Sequence, residues 1–124
     1  MQKRKSLILA ASIATILAAT GITTAYAADA PAKEVTGKDI SFDKSKGNCL
    51  ACHAMPNIPD AEAPGNIAPP LIAMKARFPD RAKLRAQIWN AMDNNPKTSM
   101  PPFGKHKILT EQEIDKVTDF IHSL

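Results

Sequence analysis

Cys49-Leu50-Ala51-Cys52-His53 holds the only two cysteines of the 124-residue chain and sets an imidazole directly after the second. A spacing of three places both sulfurs on one side of a helical turn. In an exported chain, C-x-x-C-H is the attachment pattern of a c-type haem. The thiols add across the haem vinyl groups as thioethers, and the adjacent imidazole takes the iron. The competing chemistry is a redox-active C-x-x-C of the thioredoxin kind. That motif sits where a strand feeds a helix, and no strand pattern surrounds Cys49 and Cys52.

An iron held by His53 has a second axial position, and its occupant decides between electron transfer and the binding of small molecules. The candidates are Met55, Met74, Met92, Met100, His106 and His122. Met55 is tethered two residues past His53, toward the wrong face. Met74 and Met92 fall in segments that read as helix, where methionine usually fills core. Met100 differs, because Met100-Pro101-Pro102-Phe103-Gly104 is a proline-braced loop between two predicted helices, and the prolines limit the entropy lost in presenting a thioether. Met100 is the expected ligand, with Met92 or a histidine as alternatives. His106 lies between Lys105 and Lys107 and reads as a solvated tip, while His122 complements the dipole at a helix end. A His/Met pair closes the iron and passes single electrons. With both cysteines consumed as thioethers no free thiol remains, so no catalytic residue is expected in this chain.

Haem attachment requires export, and the N-terminus reads as a leader. Lys3, Arg4 and Lys5 precede an apolar run from Leu7 to Ala19, and Ala25-Tyr26-Ala27 supplies the small residues of a cleavage site. The run is too short for a membrane span, which needs about 20 residues. Cleavage after Ala27 and a periplasmic location are therefore expected. The whole chain carries 16 basic and 12 acidic residues, a net +4. Three of those basic residues and none of the acids lie in the leader, so the remainder is close to neutral and gives no support for nucleic-acid binding. What is left is one small domain with a modest core of its own, to which a haem would add a large apolar surface.

The elements that must position the motif follow from periodicity and punctuation. Residues 28–37 are rich in Ala, Pro and Lys and read as a flexible segment, with the domain proper at 38–124. A short helix is expected to begin between Lys38 and Ser41 and to run through Phe42 toward Asn48. Gly47 in that stretch signals either a close contact with another helix or a break before the motif. Residues 54–70 carry Pro56, Pro59, Pro64, Gly65, Pro69 and Pro70 and read as loop, long enough to wrap a haem edge. A short helix over Leu71–Arg77 is followed by a longer one over Arg81–Asp93, with Asp80 as its N-cap. Residues 97–109 are again loop. Thr110 and Glu113 form a capping box for a helix to His122, with Ile114, Val117, Ile121 and Leu124 on one face. The class is all-α.

These residues together resemble a class I cytochrome c. In that family a G-P-x-L segment places a prolyl carbonyl on the free N–H of the proximal histidine. Ala68-Pro69-Pro70-Leu71 stands in the same place here, so the resemblance gives Pro69 that role, with Ala68 replacing the glycine. The context narrows the match. Gly47-Asn48 before the motif and Ala54-Met55-Pro56 after it, then Pro64-Gly65-Asn66-Ile67-Ala68-Pro69-Pro70-Leu71, Met100-Pro101-Pro102-Phe103-Gly104 and Ile108-Leu109-Thr110, resemble the SoxX family of monohaem subunits of SoxAX complexes. The resemblance implies a partner subunit, SoxA, with the catalytic haem. It also implies oxidative coupling of thiosulfate to a cysteine of a carrier protein (L-cysteine S-thiosulfotransferase activity), and electrons handed through this subunit to a soluble cytochrome. Two other readings stand beside it: a free-standing periplasmic electron carrier, and a haem-based ligand-binding or sensor protein. Lys97, Lys105 and Lys107 flank Met100, and either steer an acidic partner to the haem edge or form an ordinary solvated surface.

Overall fold

The computed structural model describes residues 33–124, so the leader and its cleavage position lie outside the described residues. Thr36 and Thr110 open the first and last helices by the same device. The Thr36 hydroxyl accepts from the Asp39 N–H at 3.1 Å, and the Asp39 carboxylate accepts from the Thr36 N–H at 2.9 Å. Thr110 and Glu113 repeat the exchange at 3.2 and 2.9 Å. Each box satisfies donors that a helix start leaves unpaired. The helices so begun are α1, Gly37–Phe42, and α4, Glu111–His122.

Between them lie a 3-10 turn at Cys49–Ala51, α2 at Met74–Arg77, α3 at Arg81–Trp89 and a second 3-10 turn at Ala91–Asp93. No strand occurs among the described residues, and the domain is all-α as expected. Four boundaries differ from expectation. Helix α2 begins at Met74 rather than Leu71, because Ala73 before it takes the left-handed conformation at φ 49°, and α3 ends at Trp89 rather than Asp93. Both ends of the first helix also move. The first helix starts earlier, at Gly37, because Asp39 serves where a capping box usually has Glu or Gln. It also ends earlier, because Asp43 leaves helical geometry and its side chain and carbonyl instead organise the turn through Ser45, Lys46 and Asn48. Gly47 therefore lies outside the helix, where its N–H donates to the Ile40 carbonyl at 3.1 Å. Gly47 is itself in close contact with α1, since a Cβ there would lie 2.7 Å from Ile40 O. The crossing of two helices falls on another glycine: a Cβ on Gly37 would sit 2.0 Å from the Lys116 carbonyl oxygen, so only glycine lets α1 and α4 cross at that distance.

The core gathers Ile40 from α1, Met74 from α2, Leu84 and Ile88 from α3, and Ile114, Val117 and Ile121 from α4, with Met55, Leu71, Phe103 and Leu109 from the loops. Each full burial of such a side chain stabilises the fold by about 1.5–3 kcal/mol. Phe42 and Phe120 add an edge-to-face pair at 6.4 Å across the α1–α4 crossing. On the outside, Arg81 reaches Asp119 at 2.5 Å, and Arg85 reaches Asp115 at 2.7 Å and Glu111 at 3.1 Å, lacing α3 to α4. These pairs are solvent-accessible on at least one side, with Arg85 and Asp115 half-buried, so they fix the facing of the two helices more than they stabilise the domain.

Candidate haem site

The cysteine motif is formed by its own backbone and then strapped from one side. Asn48 adopts the left-handed conformation at φ 44°, which asparagine tolerates better than most residues. The chain enters the 3-10 turn from there, with the Ala51 N–H on the Asn48 carbonyl at 3.1 Å. The Cys52 and His53 N–H groups both donate to the Cys49 carbonyl, at 3.2 and 2.9 Å. Cys49 and Cys52 are not joined as a disulfide, and both are half-buried. Burial pushes the Cys49 thiol above its ordinary pKa, opposed by a hydrogen bond with the Ser41 side chain.

Residues 65–71 run beside the motif in a regular register. Gly65 N–H donates to Leu50 O at 2.7 Å, Ala68 N–H to Cys52 O at 3.1 Å and Leu71 N–H to Ala54 O at 2.8 Å. Gly65 is needed for this approach, since a Cβ there would lie 2.1 Å from Ala51 O. Within the strap, Pro69 O accepts from His53 Nδ1 at 2.7 Å. A carbonyl can only accept, so the His53 proton sits on Nδ1 and the Nε2 lone pair is left free. This is the arrangement by which a second group fixes the tautomer and aim of a metal-binding imidazole.

The second loop, 97–109, is tied to the end of α3. The helix expected to reach Asp93 breaks at Asn90, whose backbone is extended (φ −152°, ψ 88°). The Asn90 side chain donates to Asp93 Oδ1 at 2.5 Å, and the Asp93 N–H turns to Asn90 O at 3.2 Å. Asparagine competes with helical bonding in this way. The break frees the Trp89 carbonyl, which instead accepts from Gly104 N–H at 3.1 Å and Lys105 N–H at 3.3 Å. Phe103 and Leu109 are buried beneath the loop, and the Phe103 carbonyl accepts from both Ile108 and Leu109. Met100 lies half-buried on this anchored loop, packed against the edge of the core, with its N–H on Thr98 Oγ1 at 3.1 Å.

The other sulfur and imidazole candidates are placed differently. Met55 and Met74 are each only 2% exposed in the core, and Met74 Sδ lies 3.3 Å from Arg77 Nη1. Met92 is 41% exposed on the second 3-10 turn. His106 is exposed in the turn that its N–H closes on Pro102 O. His122 donates from Nε2 to Phe78 O at 2.9 Å, so its ring ties α4 to the α2–α3 loop in addition to lying at a helix end. Sequence reasoning did not single out Gly65 and Trp89 as supports of the site. The proline-glycine punctuation at 64–65 and the Asn90-to-Asn95 cluster of helix-breaking residues were their available signals.

The donor set suits a haem. Two unpaired thiols flank one turn, an imidazole with its Nδ1 committed presents Nε2, and a thioether sits on a separate anchored loop. Cys49, Cys52 and His53 would hold the group, which when bound supplies one-electron redox chemistry. Known proteins agree. The family model described as cytochrome C oxidase, cbb3-type, subunit III matches residues 42–121. A chain in the crystal structure of SoxXA from P. pantotrophus has the same fold at a TM-score of 0.64, with 33% identity over 70% of this chain and 77% of that one. An uncharacterized lipoprotein of Aquifex aeolicus (strain VF5) is 35% identical over 77 residues, or 62% of this chain, and the chain spans 36% of that relative's length. By its family match, its helical fold and its C-x-x-C-H turn, the chain belongs to the class I cytochrome c family, with covalently bound haem c as its cofactor and SoxXA as a relative.

Proposed function

We propose that this cytochrome is the electron-transfer subunit of a SoxAX-like complex in the periplasm, with His53 and Met100 as the axial ligands of its haem. The observation that carries the axial reading is the 2.7 Å bond from His53 Nδ1 to Pro69 O, which leaves Nε2 for the iron. Met100 supports the second bond. Met55 and Met74 are committed to the core and the His122 ring to Phe78, while Met100 stands on a loop braced by Pro101, Pro102 and the Trp89 carbonyl. With His53 and Met100 both holding the iron, a thioether beside an imidazole would raise the potential and would fill the site, which favours electron transfer over ligand sensing.

Similarity to SoxXA supports the complex. A SoxA-like subunit would hold the sulfur chemistry, since Cys49 and Cys52 are used in haem attachment. Joining thiosulfate to a carrier-protein thiol forms one S–S bond and releases the thiol proton and two electrons. This subunit would take the electrons singly and pass them to a soluble cytochrome. Export follows from the leader, with cleavage after about Ala27. The test is affinity capture of the tagged, haem-loaded chain from cells grown on thiosulfate. A second cytochrome subunit recovered in equal amount is expected, and a chain recovered alone points to a free-standing carrier.

A further inference from the structure

We propose that Arg77 is a positioning residue of the proximal side, fixing through the Pro70 carbonyl the aim of the His53 imidazole. The Arg77 guanidinium donates from Nη1 to Pro70 O at 2.7 Å. The same peptide unit is held at its other end, because Leu71 N–H donates to Ala54 O at 2.8 Å. The Pro70–Leu71 peptide plane is thus clamped at both its oxygen and its nitrogen. Upstream, Ala68 N–H on Cys52 O at 3.1 Å clamps the Ile67–Ala68 peptide. The peptide between Pro69 and Pro70 lies between these fixed planes and carries the oxygen that receives His53 Nδ1–H.

Two prolines make the clamp effective. Ring closure fixes φ at both positions, so the remaining freedom of the Pro69 carbonyl is rotation about ψ. Neither proline has an N–H with which to anchor itself, so the orientation must be set by neighbours. Arg77 can hold its end because it closes α2: its own N–H bonds Ala73 O at 3.1 Å, and α2 is docked on the C-terminus by Met74 N–H to Leu124 O at 3.3 Å. A hydrogen bond from a charged donor is stronger than a neutral one, which suits a side chain that reaches its acceptor at the surface.

The inference rests on His53 as the proximal ligand, which the hyperfine-shifted His53 ring resonances of the wild-type ferric holoprotein report independently of Arg77. The test compares Arg77→Gln and Arg77→Lys holoproteins with wild type by NMR. It reads hydrogen exchange of the His53 Nδ1–H against that of the Ile114 amide in α4, together with the ferric haem-methyl shifts, which follow the imidazole plane. Arg77→Gln is expected to speed exchange of the ring proton about tenfold, the factor that about 1.4 kcal/mol of lost clamp gives. It should also move the methyl shifts, leave the Ile114 amide near its wild-type rate, and be largely reversed by Arg77→Lys, which can still donate one bond to Pro70 O. Equal acceleration of both protons, or no change in either, would overturn the proposal.

Discussion

Replacing Gly65 with alanine tests the strap that aims the proximal histidine. The added Cβ would fall 2.1 Å from Ala51 O, 2.7 Å from Ala51 C and 3.0 Å from Cys52 Cα. Ordinary heavy-atom contact begins at about 3.5 Å, so the strap must retreat by more than about 1 Å. All three clashing atoms belong to the backbone of the haem-binding turn, where no side chain can swing aside. Two hydrogen bonds lie within that displacement, Gly65 to Leu50 at 2.7 Å and Ala68 to Cys52 at 3.1 Å, and each contributes about 0.5–1.5 kcal/mol. Against this, alanine lowers the entropy of the unfolded chain, a gain of about 0.4–1 kcal/mol where the site tolerates it. The loss wins, and a net destabilisation of roughly 1–2 kcal/mol remains. In a domain of this size each kcal/mol moves the midpoint by about 4–8 °C. Thermal unfolding of the haem-loaded protein, followed by far-UV circular dichroism and by the Soret band, should show that fall. A midpoint equal to or above wild type would refute the strap geometry.

Two further outcomes follow from the site and from the charged crossing of the domain. Met100→Leu should abolish the thioether–iron charge-transfer band of the ferric protein and lower the reduction potential; an unchanged band would move the ligand to another thioether such as Met92, and a wild-type protein without the band would move it to a histidine. The Glu113 carboxyl is held below the usual carboxylate range, chiefly by its hydrogen bond with Lys46 and then by Thr110. A carboxylate depressed by folding contributes stability above its unfolded pKa and loses it as pH falls through the lower folded value. Acidification from about pH 5 to pH 3 should therefore erode the thermal midpoint, and Glu113→Gln should flatten that slope. Asp115, depressed mainly by Arg85, should add to the same acid limb.

Local chemistry explains which features the sequence makes legible. Cys49-Leu50-Ala51-Cys52-His53, the Thr110–Glu113 box and the Asp80 cap depend on residues close in the chain, and each forms as its spacing implies; Asp80 accepts from Ala82 N–H at 2.8 Å. The proline-rich character of 54–70 likewise reads directly as loop. The register of that loop against the motif does not, because a bond such as Ala68 to Cys52 depends on how a turn of many residues closes. Asn90 marks another limit. Helical periodicity continues through Ala91 and Met92, yet the Asn90 side chain and the tertiary claim of the 104–105 backbone on the Trp89 carbonyl end the helix there. The α1–α4 crossing rests on Gly37, while Gly47 packs against the Ile40 carbonyl of α1 itself, and only the positions of both helices reveal which glycine lies at the crossing.

The electron-transfer reading depends most on the iron being closed on both faces. Carbon monoxide added to the ferrous holoprotein at neutral pH measures this directly. With His53 and Met100 both bound, the visible spectrum should remain that of the six-coordinate ferrous haem at gas concentrations that saturate open haem proteins. Rapid, stoichiometric formation of a carbon monoxide complex would contradict that closure and favour a ligand-binding role.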